Sequence, residues 1–273
     1  MNLSATAAPP ALLWEQVSVS FSGARGEPAY TAIDKVDLSV AAGEFLAVVG
    51  PTGCGKSTLL NIAAGLLAPS SGQISVFGEL LEAVNRHAGY LFQSDSLLPW
   101  RNARDNVAFG LQLREVARDD ALVRAEDWLT RVGLAGHGAR YPHQLSGGMR
   151  KRVALAQTLI LDPKILLMDE PFSALDVQTR QLMENELLEL WSADRKSVVF
   201  ITHDLEEAIA MADRVVLLSA GPASRPIGSF PVDLPRPRDV AEIRLTPQFA
   251  QLHATLWHAL KDEVLKAYAQ TRT

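Results

Sequence analysis

The segment at residues 50–58 constrains the fold of this chain more than any other. It reads Gly50, Pro51, Thr52, Gly53, Cys54, Gly55, Lys56, Ser57 and Thr58, which fits the pattern G-x-x-x-x-G-K-[ST]. The apolar run at 43–49 is typical of a buried parallel strand, and residues 59–65 favour a helix that ends at a glycine. A strand, a glycine-rich loop and a helix in this order predict a phosphate-binding loop.

The residue types in this loop explain how it would hold a phosphate. Its glycines allow the backbone N–H groups to converge on an anion, and the positive end of the following helix adds to them. We expect Lys56 to reach the β- and γ-phosphates and the Ser57 hydroxyl to be a ligand of Mg²⁺. Cys54 leaves two interpretations open: a thiol made acidic by the helix terminus, or a small residue whose backbone matters.

Composition excludes several classes of protein. The 273 residues carry a net charge of −5, so no general attraction to nucleic acid is expected. The single cysteine allows no intrachain disulfide. No apolar run approaches the roughly 20 residues that span a bilayer. We therefore expect any membrane role to be peripheral and to depend on a partner.

Strands and helices alternate along the chain, which predicts an α/β layered core. From about residue 94 to 160 the pattern becomes largely helical and more charged, and this change marks a candidate subdomain. The tail from about residue 241 predicts one helix, which either packs back on the core or contacts a second subunit. The apolar residues that define its face are Phe249, Leu252, Leu256, Leu260, Val264 and Tyr268.

Two further motifs predict chemistry on the bound phosphate. Asp169 and Glu170 end an apolar strand, where one carboxylate can hold Mg²⁺ and the other can accept a proton from an attacking water. His203 follows another strand, at the edge of the sheet where ligands bind. It can donate a hydrogen bond to a γ-phosphate.

A second glycine motif predicts a second anion site. It consists of Leu145, Ser146, Gly147, Gly148 and Met149. A basic helix with Arg150, Lys151 and Arg152 follows, and its N-terminal N–H groups favour an anion. One chain therefore carries two half-sites for phosphate.

Together these motifs resemble those of the ATP-binding subunit of ABC transporters, over about residues 12–240. In the terms of that family, residues 50–58 resemble Walker A, residues 145–149 resemble the signature and residues 165–170 resemble Walker B. Gln93 resembles the Q-loop glutamine, and His203 resembles the switch histidine. The D-loop is matched by Ser173, Ala174, Leu175 and Asp176. The resemblance implies a P-loop NTPase cassette of the α/β class, with a mixed sheet core, an antiparallel β edge and an inserted α-helical subdomain. The implied bounds are 12–93 and 161–240 for the core, 94–160 for the helical subdomain and 241–273 for a C-terminal extension.

The resemblance also implies a mechanism. Two such subunits, most simply two copies of this chain, pair head to tail. Each ATP then lies between the Walker A loop of one and the signature of the other. Glu170 polarises the attacking water, His203 senses the γ-phosphate, and Lys56 stabilises its charge. Mg²⁺ would be held by Ser57, Asp169 and Gln93, and Gln93 would contact either this ion or the attacking water. Phe21 best matches the aromatic residue that stacks on adenine, with Tyr30 as the other candidate.

The finer resemblance is to importers of nitrate, sulfonates, taurine and thiamine-pyrimidine precursors. It rests on residues 92–100 and 234–238. It implies that Leu98, Pro99 and Trp100 dock on a separate membrane permease. It also implies that a substrate-binding protein takes part indirectly. The chain would then lie on the cytoplasmic side of the inner membrane. The alternatives are a soluble ABC ATPase outside transport and a silent nucleotide-binding partner. The soluble ABC ATPase is disfavoured because the chain has one cassette, no long insertion and a negative net charge. The silent partner is disfavoured because Glu170 is intact.

Overall fold

The computed structural model describes residues 8–22 and 29–270, and most of these residues lie in regular elements. The last three residues of the expected C-terminal extension, 271–273, lie outside them. The strands are β1 (Leu12–Phe21), β2 (Tyr30–Val40), β3 (Phe45–Val49), β4 (Ser71–Val76), β5 (Glu79–Leu80), β6 (Ala88–Leu91), β7 (Ile165–Asp169), β8 (Ser197–Thr202), β9 (Arg214–Leu218) and β10 (Pro226–Pro231). The α-helices are α1 (Lys56–Ala63), α2 (Ala103–Leu113), α3 (Arg118–Arg131), α4 (Gly147–Leu159), α5 (Val177–Ala193), α6 (Leu205–Met211), α7 (Val240–Ile243) and α8 (Pro247–Gln270).

The larger sheet places the ends of its strands at one common edge. Its order is β10-β9-β3-β8-β7-β6, and all neighbours are parallel except β10 and β9. All five residues of β3 are buried because strands flank it on both sides and helices cover its faces. The carboxyl ends of β3, β7 and β8 therefore bring the phosphate loop, Glu170 and His203 to the same edge.

The smaller sheet is antiparallel and has the order β2-β1-β4-β5. Its β1–β2 pair ends with Phe21 opposite Tyr30, so the two candidate adenine-binding aromatics are neighbours. An apolar cluster that includes Trp14, Leu59 and Leu60 joins this sheet, α1 and one face of the larger sheet. The mixed sheet and antiparallel edge agree with the predicted fold class.

Helices α2, α3 and α4 share an apolar cluster of their own, which includes Val107, Leu129 and Val153. Helix α4 also packs against β6 of the larger sheet. The division of the chain at residues 94 and 160 into separate units stays a prediction.

The tail differs from the single helix that its sequence predicts. The short helix α7 precedes α8, and the Thr246 hydroxyl accepts a hydrogen bond from Phe249 N at the start of α8. Phe249, Leu256 and Leu260 are buried, so α8 packs back on the core. Tyr268 lines one cleft with Leu260 and Val264 but is itself 62% exposed. Within the described ranges, none of the helices has the length and apolar character needed to cross a bilayer.

Candidate nucleotide site

The phosphate loop joins β3 to α1 as its sequence predicts. Gly55 is the N-cap of α1 and has a φ of +89°, a conformation that residues with a side chain rarely adopt. A Cβ atom there would also lie 2.7 Å from Ile33 Cγ2. The loop therefore needs glycine at this position for both conformation and space.

Lys56 places a positive charge at the centre of the loop. Its side chain is only 6% exposed, and its ammonium group donates to the carbonyl oxygens of Gly50 at 2.9 Å and Pro51 at 3.1 Å. The same nitrogen lies 3.8 Å from Glu170 Oε1. A phosphate in the loop would meet a cation that the backbone already holds in place.

Ser57 and Asp169 form an oxygen-rich corner beside the loop. Asp169 also lies near Tyr90, whose hydroxyl donates to Asn61 Oδ1 at 3.3 Å. Burial raises the pKa of Asp169, while the neighbouring Ser57 hydroxyl acts in the opposite direction. A hydroxyl and a partly buried carboxylate are hard oxygen donors of the kind that Mg²⁺ prefers, so these residues fit the expected metal ion.

Glu170 is held in a constrained conformation next to Lys56 and His203. Its φ is +43°, which is unusual for a residue with a side chain, and strain of this kind is found at functional sites. Its Oε2 atom lies 3.1 Å from His203 Nδ1. The Ser173 hydroxyl donates to its carbonyl oxygen, and Asp176 caps α5 by accepting from Thr179 N at 2.9 Å. The D-loop thus begins directly against Glu170.

These residues line one open cleft of about 480 Å³. The cleft collects residues from six segments of the chain that the sequence singled out. They are Phe21, Tyr30, Thr52, Gly53, Gly55, Lys56, Ser57, Thr58, Gln93, Asp169, Glu170 and His203. Ala32 also lines it and was not predicted. Cys54 is fully buried behind the loop, and burial raises the pKa of its thiol. This result contradicts the acidic-thiol interpretation.

Phe21 and Tyr30 both remain available for adenine. Each is a little under half exposed and lines the cleft. The Tyr30 hydroxyl donates to the Gly53 carbonyl oxygen at 3.3 Å, and Phe21 lies directly opposite Tyr30 at the same end of the strand pair.

We expect Phe21→Ala to raise the Kd for ATP about 10-fold, because stacking of a base on an aromatic ring is worth about 1–3 kcal/mol. Tyr30→Phe keeps the ring and removes only the hydroxyl, so it should change the Kd by less than about twofold. Titration of each purified variant with a fluorescent ATP analogue checks this. A normal Kd in Phe21→Ala together with a large rise in Tyr30→Ala would assign the stacking to Tyr30.

The signature segment is not among the described residues that line this cleft. Ser146 caps α4 by accepting from Met149 N at 3.3 Å. At Gly147 the nearest atoms to an added Cβ are 3.9 Å away, so this surface is open. At Gly148 a Cβ would lie 2.8 Å from Thr179 Cγ2, so packing against α5 requires glycine there.

The basic residues after the signature bind other parts of the chain. Arg150 Nε and Lys151 Nζ lie 2.8 Å and 3.2 Å from the two oxygens of Asp95, and Lys151 also donates to the Gln93 carbonyl oxygen at 2.5 Å. Arg152 pairs with Glu186. The expected anion site at the start of α4 therefore has to rely on backbone N–H groups. These contacts tie the Q-loop to the signature helix, and nothing local in the sequence indicated them.

One buried asparagine forms hydrogen bonds with the backbone of the loop that carries Leu98, Pro99 and Trp100. Asn106 accepts from Leu98 N at 2.7 Å, and its amide nitrogen donates to the Leu98 and Arg101 carbonyl oxygens. Trp100 is 71% exposed. The loop thus presents a large aromatic side chain to its surroundings from a fixed base.

Comparison with known proteins agrees with this geometry. The family described as ABC transporter matches residues 33–173. An ABC transporter ATP-binding protein of Methanocaldococcus jannaschii is 45% identical over 236 residues, which cover 86% of this chain and 86% of that protein. The chain belongs to the ABC transporter family. As an ATP-binding subunit of that family it is an ATPase, and its hydrolysis of ATP is coupled to transport.

Two further similarities refine this assignment. The taurine import ATP-binding protein TauB of Escherichia coli is 45% identical over 239 residues, which cover 86% of this chain and 92% of that protein. A solved ATP-binding cassette in a dimeric, post-hydrolysis state with ADP and phosphate superposes with a TM-score of 0.73. It is 29% identical and covers 82% of this chain and 99% of its own. The similarity is consistent with the nitrate, sulfonate and taurine importer group.

Proposed function

We propose that this ABC ATPase powers the import of a small solute, of the sulfonate, taurine, nitrate or pyrimidine-precursor kind, through a separate permease. The observation that carries the proposal is Glu170, which lies between Lys56 and His203 on a cleft formed by the phosphate loop. The similarity to TauB, which is named for taurine import, supports the direction of transport and the class of solute.

The residues of this chain have separate roles in the proposed hydrolysis. Lys56 and the loop N–H groups bind the β- and γ-phosphates. Glu170 orients the attacking water and accepts its proton, because its carboxylate lines the cleft 3.8 Å from the Lys56 ammonium group. His203 holds Glu170 and reports the state of the γ-phosphate. Ser57, Asp169 and Gln93 would hold Mg²⁺, which when bound supplies positive charge to the phosphate oxygens.

We propose that each cleft is completed by the signature segment of a second copy of this chain. An added Cβ at Gly147 would lie 3.9 Å from the nearest side-chain atoms, and neither Gly147 nor Ser146 is among the described residues that line the chain's own cleft. The dimeric state of the similar solved cassette supports this arrangement. ATP binding would then close the pair, and hydrolysis would open it.

The partners follow from the same proposal. The permease supplies the membrane spans, and the chain binds it at the cytoplasmic face of the inner membrane. A substrate-binding protein delivers the solute on the other side. The test is reconstitution with the permease and binding protein encoded beside this chain. ATPase activity should rise when the binding protein carries its solute. Activity that ignores the permease but responds to ribosomes or DNA would favour the soluble alternative.

We expect Trp100→Ala to abolish permease binding and solute uptake while ATP hydrolysis by the isolated subunit stays normal. The reason is that Trp100 is exposed on a loop outside the nucleotide cleft. Co-purification with the permease and uptake by proteoliposomes measure this. Trp257→Ala is the matched control, because Trp257 is 45% exposed on α8. Normal permease binding by Trp100→Ala would refute this docking site.

A further inference from the structure

Two short segments contact Glu170, one at its backbone and one at its carboxylate. The first is the D-loop, residues 173–176, in which the Ser173 hydroxyl donates to the Glu170 carbonyl oxygen at 3.0 Å. The second is the turn at 202–204, whose His203 Nδ1 lies 3.1 Å from Glu170 Oε2. The geometry of the His203–Glu170 pair therefore depends on how these two segments are held relative to each other.

One arginine contacts both segments. Arg180 lies in the first turns of α5, and its Nη2 atom donates to the Leu175 carbonyl oxygen of the D-loop at 3.2 Å. Its Nη1 atom lies 3.6 Å from Asp204 Oδ2 in the turn. Its side chain is only 25% exposed. Because a guanidinium group is planar and rigid, these two nitrogens keep the two partners at a set separation.

Asp204 links Arg180 to the position of the neighbouring residue, His203. The Asp204 carboxylate caps α6 by accepting from Glu206 N at 2.8 Å, and its own N–H donates to Thr202 Oγ1 at 3.0 Å. The residues on either side of His203 are thus bonded to each other. The Thr202 hydroxyl in turn bonds the buried carboxylate of Glu207. The turn has little freedom to shift without moving the His203 ring.

We propose that Arg180 is a positioning residue for ATP hydrolysis. It joins the D-loop to the turn at 202–204 and so keeps His203 against Glu170. Arg180 is not among the described residues that line the nucleotide cleft, so it acts through the two segments and not on ATP. This inference rests on the roles proposed above for Glu170 and His203.

We expect Arg180→Ala to lower kcat about 10- to 100-fold, because a displacement of about 1 Å in a catalytic group can cost this much. The KM for ATP should stay within about twofold, since Lys56 and the phosphate loop are untouched. Steady-state phosphate release over a range of MgATP concentrations separates the two constants. The melting temperature of each variant is measured alongside.

Three further variants test the bridging geometry. Arg180→Lys keeps the charge, but one ammonium group cannot hold both partners, so kcat should stay at least about fivefold below wild type. Asp204→Asn keeps an oxygen to cap α6 and loses the charge that pairs with Arg180, and it should lower kcat as well. The double variant Arg180→Ala/Asp204→Asn should lose no more than the worse single variant, because both changes interrupt one contact.

Arg236→Ala is the matched control. The Arg236 side chain is 14% exposed and donates to the Met211 carbonyl oxygen at 2.7 Å and to Asp213 at 2.8 Å, at the opposite edge of the sheet. It should melt at a lower temperature with normal kcat. The proposal is overturned by a wild-type kcat in Arg180→Ala, by full recovery in Arg180→Lys, or by equal losses in Arg236→Ala. If the wild-type chain itself fails to hydrolyse ATP, the proposed function fails instead.

Discussion

Replacing Glu170 with glutamine will lower ATP turnover at least about 100-fold and leave ATP binding intact. A general base typically contributes a factor of about 10² to 10⁴, and glutamine cannot accept the proton of the attacking water. The glutamine side chain has the same size and can still bond His203, so the geometry of the cleft should persist. Phosphate release and ATP titration on the same preparation measure the two effects.

A carboxylate elsewhere on the chain provides the control for this substitution. Glu189 is exposed on α5 and lies outside the cleft, so Glu189→Gln should hydrolyse ATP at the wild-type rate. A Glu170→Gln variant that keeps more than about a tenth of the wild-type rate would exclude Glu170 as the base. A loss of ATP binding would instead point to a structural role for this strained residue.

The second large effect is expected at the signature segment. Gly147→Asp should lower turnover at least about 100-fold, because it places a carboxylate where donors should stabilise the phosphates of the partner's ATP. The isolated chain should still fold, since no atom lies closer than 3.9 Å to the added Cβ and an acidic residue suits a helix N-terminus. ATP binding by the monomer should also be normal, because Gly147 is not among the described residues that line its own cleft.

Ala117→Asp is the matched control for this variant. Ala117 is exposed at the N-terminus of α3, so the same charge is added at the start of a helix to which no nucleotide-binding role is assigned. Its turnover should equal that of the wild type. If Gly147→Asp hydrolyses ATP normally, the signature segment does not complete a nucleotide site. If it loses ATP binding as a monomer, the segment acts within its own chain.

The parts of the fold that local sequence patterns determine could be predicted. The phosphate loop, its flanking strand and helix, and the strand ends at Glu170 and His203 all follow from residue types at fixed spacing. Strand β10 could not be predicted, because it contains prolines and a glycine, has no fully buried residue and depends on its pairing with β9. Helical spacing did not reveal that Tyr268 is 62% exposed, because spacing shows which residues share a face and not how deeply each of them is covered.

The site itself was predictable only where its residues belong to motifs. The sequence did not predict three residues with structural contacts near the site, because each of them contacts a partner distant in sequence or backbone carbonyl groups. They are Asp95, Asn106 and Arg180. A charged residue on a helix is more often solvated than paired, so such contacts emerge only from the packed structure. The basic residues after the signature are an example, since they form ion pairs and hydrogen bonds with the segment at 93–95 and with α5.

The molar mass of Glu170→Gln, measured by size-exclusion chromatography with light scattering, tests whether one ATP is shared by two chains. With MgATP this variant should have twice the mass of one chain, because ATP binds and is not hydrolysed. With MgADP it should have the mass of one chain. Adding Gly147→Asp to it should restore the single mass while ATP binding persists. A single mass for Glu170→Gln at saturating ATP, or a dimer that tolerates Gly147→Asp, would contradict the shared site.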